Sequence, residues 1–228
     1  MTASDARPAD PTRDPGPGDP AREGASGDGA RAEVLARIRA ARGPDGPVPA
    51  IPRDYHRTGT HRAGAPELLD RLTHRLTDYR ASVHPATADT LIEVLAGRLA
   101  QAGAVVVGAG LPPDWAPTAT VDNGLSTQEL DRFDTVLTSC AAAAAQTGTI
   151  VLDGGPGQGR RAISLVPDRH ICVVRADQVV DSVPELLARL DPRRPLTFIS
   201  GPSATSDIEL QRVEGVHGPR DLIVILVR

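Results

Sequence analysis

Short, uninterrupted apolar runs alternate with helical patterns along most of the chain. Leucines spaced three and four residues apart predict helices at 66–79 and 89–102. Runs rich in Val, Leu and Ile predict strands, at 104–107 (AVVV), 134–138 (DTVLT), 149–152 (TIVL), 163–166 (ISLV), 171–174 (ICVV), 196–200 (LTFIS) and 222–227 (LIVILV). Because these runs do not alternate with polar residues, we expect most of the strands to be buried on both faces.

Three further helices are predicted from capping boxes, in which a serine stands three residues before a glutamate. They begin at Ser126, Ser182 and Ser206, and the last covers SDIELQRV. The segment 140–146 (CAAAAAQ) predicts another helix, whose small side chains allow close packing. Helices interleaved with buried strands predict an α/β fold, in which hairpins in the middle of the chain make the sheet mixed and helices flank it.

The first 65 residues differ from the rest in composition. Residues 1–29 consist almost entirely of Pro, Gly, Asp, Arg, Ala and Ser, which predicts a disordered tail. A helix and a Pro- and Gly-rich connector follow at 30–65, and the connector contains DYHRTGTHR, which either orders over a neighbouring site or stays loose. We expect the α/β domain to occupy 66–228.

Composition excludes several classes of chemistry. All 25 basic residues are arginine, so the chain has no lysine for a Schiff base, a pyridoxal-phosphate anchor or a phosphate-binding P-loop. The net charge of −4 provides no general attraction to nucleic acid or to an anionic membrane. No apolar run is long enough to span a membrane, and the chain starts without the apolar stretch of a secretory signal, which predicts a cytoplasmic protein.

Metal centres are also not predicted. Cys140 and Cys172 are the only cysteines and do not form a C-x-x-C motif, whereas an iron–sulfur cluster usually needs four cysteine ligands. We therefore expect no cofactor bound through the chain's own cysteines. The six histidines show no spacing typical of metal ligands.

The segment SGPSATSDIE predicts an anion-binding loop. It follows a buried strand at Ser200 and Gly201, and the predicted helix start behind it would direct free backbone N–H groups at a ligand. Ser203 and Thr205 add hydroxyl donors to this loop. In the alternative interpretation, the polar residues only cap the helix. Asp207 and Glu209, at the start of that helix, are acid or base candidates.

Three other loops carry candidate binding residues. GVHGPR holds His217 between two glycines and presents Arg220, whose planar fork suits a carboxylate or a phosphate. His217 is either a functional group or a structural hydrogen-bonding residue. GGPGQGRR either clamps an anion with Arg160 and Arg161 or is a mobile hairpin loop with solvated arginines. In TGT, the residues Thr147, Gly148 and Thr149 either line a cleft or form local hydrogen bonds.

The segments TGTIVLDGGPGQGRRAISLVPDRHICVV and LTFISGPSATSDIELQRVEGVHGPRDLIVILV resemble the LUD domain family of the lactate-utilisation protein C type. The resemblance extends from about Ala81 to Arg228 and is densest after Thr147. It implies a fold similar to the sugar-phosphate isomerase and CoA-transferase-like proteins. It also implies a part in oxidising L-lactate to pyruvate, with two iron–sulfur proteins as partners. Family members often carry glutamate where this chain has Gln146, and glutamine cannot act as a base.

These observations lead to one main hypothesis and two alternatives. The main hypothesis is a subunit without iron–sulfur clusters in an L-lactate oxidation system, which binds a carboxylate or nucleotide-like ligand at loops 154–161, 200–207 and 215–220. The first alternative is a self-sufficient isomerase or transferase that acts on a phosphorylated or CoA-like substrate, with Asp207, Glu209 or His217 as its acid or base. The second is a ligand sensor that signals through its affinity for partners.

Overall fold

The computed structural model describes residues 27–43, 50–202, 204–205, 213–214 and 218–228. The chain divides into two compact units, Met1–Arg53 and Asp54–Arg228. The described part of the first unit is mainly helix α1 (Gly27–Arg42), which begins three residues before the predicted start of the helix. Val34 and Ile38 on this helix are more than half exposed.

The second unit, here called the α/β unit, contains a six-stranded parallel sheet. Its strands are β1 (Ser82–Ala86), β2 (Val105–Val107), β3 (Thr120–Val121), β4 (Thr135–Thr138), β7 (Arg169–Arg175) and β12 (Asp221–Val227). They are ordered β1-β12-β7-β4-β2-β3, and every neighbouring pair is parallel. The long strands β7 and β12 lie at the centre and are almost entirely buried, as their uninterrupted apolar runs predict.

Two smaller sheets complete the strand content of the described residues. The four-stranded sheet consists of β5 (Ala142–Ala144), β6 (Thr149–Leu152), β8 (Val179–Val180) and β9 (Thr197–Ile199), in the order β8-β5-β6-β9. Its pairs are antiparallel except β5–β8. Strands β10 (Ala204–Thr205) and β11 (Val213–Glu214) form an antiparallel pair. The α/β prediction is confirmed, and the mixed strand directions lie in the four-stranded sheet.

The helices and the four-stranded sheet cover the parallel sheet on both faces. The α-helices described in this unit are α2 (Pro66–Asp78), α3 (Leu91–Leu99), α4 (Thr127–Leu130) and α5 (Val183–Ala188). The leucine stripe of α2 packs with the four-stranded sheet against one face of β7 and β12, where Cys172 and Val224 point. On the other face, α3 packs against Ile171 and Ile225. Successive strand residues point to opposite faces, so both faces of the central strands are buried.

Two predicted elements are wrong. The segment 140–146 is not a helix, because Ala142–Ala144 form β5 between β6 and β8 and are fully buried there. Tertiary pairing has overridden the helix propensity of alanine. The segment 163–166 is not a strand, since Arg161–Ser164 form a 3-10 turn that buries Ile163 in the core. An apolar run of four residues does not distinguish these conformations.

The helices predicted from Ser126 and Ser206 have different outcomes. The capping box at α4 is confirmed, because the Ser126 side chain accepts from the backbone N–H of Glu129 and the Glu129 carboxylate accepts from the N–H of Ser126 at 2.7 Å. The helix predicted from Ser206 is wrong at its last residue, Val213, which belongs to β11. Residues 206–212 lie outside the described residues. None of the described helices is long and apolar enough to cross a membrane.

The stretch Gly59–His61 is held on the α/β unit by a buried carboxylate. Asp181 accepts hydrogen bonds from the backbone N–H groups of Thr60 at 2.8 Å and His61 at 3.3 Å, and from the Arg71 guanidinium at 2.5 Å. A Cβ at Gly59 would overlap the Asp181 side chain. Within DYHRTGTHR, residues 59–61 are therefore ordered rather than loose.

Candidate functional site

A cavity of 260 Å³, here called the interlayer cavity, opens between the four-stranded sheet and the parallel sheet. Its walls include the start of β7 at His170, the start of β12 at Leu222, and strand β9 with the residues after it. The polar side chains among its lining residues are those of Arg161, Ser164, His170, Thr197 and Ser200. Hydroxyl, imidazole and guanidinium groups therefore line a single recess.

Arg161 contributes the positive charge at the cavity. The 3-10 turn that begins at this residue buries Ile163 and leaves the Arg161 side chain exposed beside β9, where Nη1 donates to Thr197 Oγ1 at 3.3 Å. Arg161 forms no ion pair with any residue that the structure describes. Toward the described part of the chain most donors of this guanidinium are free, and such a group is suited to a carboxylate or a phosphate.

His170 forms the buried polar part of the wall. Its side chain is 2% exposed, and Nε2 is hydrogen-bonded to Thr138 Oγ1 at 2.7 Å. Thr138 is the last residue of β4, next to β7 in the sheet. Sequence reasoning considered this histidine only as a metal ligand and missed its place at the cavity. The available signal was a single imidazole at the start of the apolar run ICVV.

A row of hydroxyl groups connects the TGT turn to the cavity. Thr147 Oγ1 and Thr149 Oγ1 are hydrogen-bonded at 2.8 Å, and Thr149 Oγ1 and Ser200 Oγ are hydrogen-bonded at 2.8 Å. The structure therefore brings together three predicted ligand-binding residues, of which Thr147 lies in the turn before β6, Thr149 at the start of β6 and Ser200 directly after β9. Of these, Ser200 lines the cavity.

The two predicted glycines next to this row have packing roles. Gly148 has a φ of +64° and lies against Arg75 of α2, where a Cβ would be 2.7 Å from the Arg75 Cβ. Gly201 has a φ of +91°, lies against Tyr79 and also lines the cavity. Both positions combine a left-handed backbone with close approach to another segment, so glycine is required there for conformational reasons.

Arg160 does not line the cavity. Its Nε and Nη2 donate to the Asp122 carboxylate at 2.6 and 3.0 Å, and Nη2 also donates to the Leu125 carbonyl. The Asp122 side chain is 4% exposed, and the hydrogen bond from Arg160 lowers the pKa of this carboxyl group. The guanidinium fork that the sequence offers to an anion is therefore occupied by a carboxylate of the same chain.

Arg220 does not line the cavity either. Its guanidinium pairs with the Asp168 carboxylate, and both side chains are more than half exposed. The hydrogen bond from Arg220 lowers the pKa of Asp168. Of the three predicted arginines, only Arg161 lines the recess.

The glycine-rich loop 154–159 covers the carboxyl ends of β2 and β4. Gly157 N donates to the Ala109 carbonyl at 2.8 Å, and Ser139 N donates to the Gly157 carbonyl at 3.0 Å. Gly108, directly after β2, approaches Gly159 so closely that a Cβ would overlap its backbone. The loop is packed rather than a hairpin with solvated residues, and its backbone occupies the edge where ligands of open α/β sheets usually lie.

Comparison with known proteins decides the family. The profile of the LUD domain matches residues 113–227. Lactate utilization protein C of Deinococcus radiodurans is 51% identical over 170 residues, which cover 71% of this chain and 80% of that protein. This chain belongs to the LUD domain family. The family resemblance seen in the sequence is confirmed.

Other relatives extend the comparison. A protein of Escherichia coli K12 with the name YkgG is 30% identical over 178 residues, which cover 74% of this chain and 71% of that one. The crystal structure of a DUF162 family protein from Deinococcus radiodurans aligns with a TM-score of 0.61 at 42% identity, and covers 71% of this chain and 97% of that one. The similarity to sugar-phosphate isomerases and CoA transferases stays a prediction.

The LUD domain match includes every residue that lines the interlayer cavity. The predicted residues Ser203, Asp207, Glu209 and His217 lie outside the described residues, and of Thr205 only the backbone, in β10, is described. Their roles stay predictions. Pro202 and Gly218, which are the sequence neighbours of Ser203 and His217, both line the cavity.

Proposed function

We propose that this LUD domain protein acts in lactate utilisation, as the subunit without iron–sulfur clusters in a cytoplasmic system that oxidises L-lactate to pyruvate. The name of the Deinococcus relative supports the assignment to lactate utilisation. The cysteine count supports the division of labour, because two cysteines are fewer than one cluster usually requires. Electrons from lactate would then pass through clusters held by two partner proteins.

We further propose that the interlayer cavity binds an anionic ligand. The observation that carries this proposal is the exposed guanidinium of Arg161 at a recess that also presents the hydroxyl groups of Thr197 and Ser200. Hydrogen bonds between charged partners contribute about 1.5–3 kcal/mol each, roughly twice the value for neutral pairs. An anion that reaches Arg161 and the hydroxyl groups together would gain several such bonds.

The cavity size narrows the choice of ligand. Its 260 Å³ lies below the range of about 300–1,000 Å³ that is typical of pockets for drug-sized molecules. This volume favours a small carboxylate, or the acidic end of a nucleotide-like ligand, over a whole nucleotide. The self-sufficient isomerase or transferase is not favoured, since the Deinococcus relative and the LUD domain match support a role in lactate utilisation instead.

Calorimetry of the purified protein with L-lactate, pyruvate, NAD and CoA tests the binding proposal. We expect at least one of these anions to bind, and Arg161→Gln to weaken its binding about tenfold or more. Arg193→Gln is the matched control, because Arg193 is an exposed arginine paired with Asp191 away from the cavity. Binding that is the same in wild type and Arg161→Gln would contradict the assignment of the cavity.

Gene deletion tests the cellular role. We expect a strain without this protein to stop growing on L-lactate, to recover with the wild-type chain, and to grow normally on pyruvate. We also expect the tagged protein to co-purify with two proteins that contain iron–sulfur clusters. Normal growth of the deletion strain on L-lactate would rule out the proposed function.

A further inference from the structure

Two free thiols lie side by side between the sheets of the α/β unit. Cys140 and Cys172 are 3% and 0% exposed and belong to the same hydrophobic cluster. Cys172 is at the middle of β7, paired in register with Thr138, the last residue of β4. Cys140 follows two residues later, in the connection from β4 to β5. The two thiols therefore lie where the chain passes from the parallel sheet into the four-stranded sheet.

Hydrogen bonds hold both sulfurs in place. Cys172 Sγ donates to the Ser139 carbonyl at 4.0 Å, so it lies beside the peptide bond that leads into Cys140. Cys140 Sγ also donates to Gln178 Oε1 at 3.4 Å, and Gln178 Nε2 donates to the Cys140 carbonyl at 2.7 Å. Gln178 Oε1 is in turn fixed by the backbone N–H of Arg175 at 2.9 Å. The Gln178 side chain thus contacts both the thiol and the carbonyl group of Cys140 and keeps the Cys140 sulfur beside Cys172.

The surroundings of Cys172 favour its thiolate more than a purely apolar core would. The neighbouring Cys140 thiol, together with hydrogen bonding to His170 and Thr138, lowers the pKa of Cys172, against the effect of burial. The neighbouring Cys172 thiol and burial raise the pKa of Cys140. The pair therefore loses its first proton from Cys172, and the thiolate is the form of cysteine that peroxides oxidise.

We propose that Cys140 and Cys172 are a peroxide-reactive thiol pair that closes to a disulfide between β7 and the β4–β5 connection. The Cys172 sulfur attacks one oxygen of hydrogen peroxide, the O–O bond breaks, and the products are a sulfenic acid and one water. The Cys140 sulfur then attacks the Cys172 sulfur. The S–O bond breaks, and hydroxide leaves with the Cys140 proton as the second water. Two thiols are oxidised and one peroxide is reduced to two waters.

The interlayer cavity provides the route for the oxidant. His170 lines the cavity and stands two residues before Cys172 on β7, so both side chains lie on the same face of the strand. Hydrogen peroxide is only slightly larger than water and needs a small displacement of this ring to reach the sulfur. Oxidation of the pair therefore requires no oxidant larger than hydrogen peroxide.

Intact-mass spectrometry of the full chain, before and after treatment with hydrogen peroxide, tests the proposal. We expect a mass loss of about 2 Da, loss of both titratable thiols in the denatured protein, and recovery of both with dithiothreitol. Glutathione in a parallel tube verifies that the peroxide is active. The proposal would be overturned if both thiols stay titratable or if the protein gains mass without losing hydrogen. A disulfide between two chains would overturn it as well.

Two matched variants test the order of the steps. In Cys140→Ser, Cys172 has no thiol to resolve its sulfenic acid, and we expect a dimedone adduct on Cys172. In Cys172→Ser, we expect Cys140 to stay a thiol under the same treatment. A dimedone adduct on Cys140 in Cys172→Ser, with none on Cys172 in Cys140→Ser, would overturn the assignment of the attacking sulfur. If either variant does not fold, the wild-type mass result decides alone, because the chain has no other cysteine.

Discussion

Among the residues that the structure describes, the carboxyl edge of the parallel sheet at β2 and β4 is closed, whereas the amino edge at β7 and β12 is open. At the closed edge, the backbone of loop 154–159 packs directly on the strand ends, and Arg160 is paired with a buried carboxylate. At the open edge lies the interlayer cavity, with the exposed Arg161. Two consecutive arginines therefore face opposite edges of one sheet.

This difference shows how a sequence motif can have two structural meanings. GGPGQGRR has the glycines and arginines of an anion-binding loop, and carboxyl ends are where open α/β sheets usually bind ligands. Here the glycines allow the loop itself to occupy that edge. The backbone then turns, and only the second arginine reaches a recess. Within this motif, the residues up to Arg160 therefore have a structural role, and Arg161, the last residue, is the candidate for ligand binding.

The largest expected effect comes from forcing the closed edge apart. Gly108→Ala places a methyl group on the backbone of Gly159, and we expect a loss of about 3 kcal/mol in the free energy of unfolding, because overpacking against backbone cannot be relieved by a rotamer change. Urea denaturation measures it. The control is Gly97→Ala in α3, where a Cβ would meet no other segment within 4 Å and a gain of up to about 1 kcal/mol is expected. Equal stability of Gly108→Ala and wild type would show that the edge is loose.

A smaller effect is expected from the buried carboxylate at the closed edge. Asp122→Ala removes the acceptor of Arg160 and of the backbone N–H groups of Gly124 and Leu125, which should cost about 2 kcal/mol near neutral pH. Because the hydrogen bond from Arg160 lowers the folded-state pKa of Asp122, its contribution is complete above the unfolded-state pKa of about 4 and disappears as the pH falls through the folded-state pKa.

Acid titration of stability checks this sign. The difference in unfolding free energy between wild type and Asp122→Ala should shrink below the unfolded-state pKa of this carboxyl group. Asp168→Ala is the control: the hydrogen bond from Arg220 also lowers the Asp168 pKa, but solvent screens this exposed pair, so the cost should be much smaller. A difference that grows in acid would contradict the role of Asp122.

The smallest effect is also the most direct test of the comparison. Arg160→Gln removes two hydrogen bonds to Asp122 and should cost about 1 kcal/mol, reduced because the arginine is partly exposed. Arg161→Gln removes one hydrogen bond of 3.3 Å and should leave the unfolding midpoint unchanged. Anion binding should show the reverse order. Identical behaviour of both variants in both measurements would mean that the two edges do not differ in function.

The fold could be predicted where local pattern and tertiary environment agree. The runs ICVV and LIVILV are rich in β-branched residues and form the central strands, and the leucine stripe of α2 faces the core as its spacing predicts. Ala142–Ala144 could not be assigned, because alanine alone favours helix and only pairing with β6 and β8 makes this segment a strand.

The candidate site was predictable in its components and not in its arrangement. Thr149 and Ser200 were both expected at a binding site, but they are 51 residues apart and their hydrogen bond follows from the pairing of β6 with β9. The difference between Arg160 and Arg161 depends on Asp122, 38 residues before the first of them. A single sequence contains no local signal for such contacts.

The hydrogen bonds of Asp181 have a consequence for where the autonomous folding unit begins. This carboxylate is buried, and two of its partners are backbone N–H groups of Thr60 and His61, upstream of the first helix and strand of the α/β unit. A chain cut just before Pro66 would keep only the arginine partner and would carry a partly unsatisfied anion in its interior. The minimal unit therefore starts before Gly59, inside a stretch whose composition alone suggests a dispensable linker.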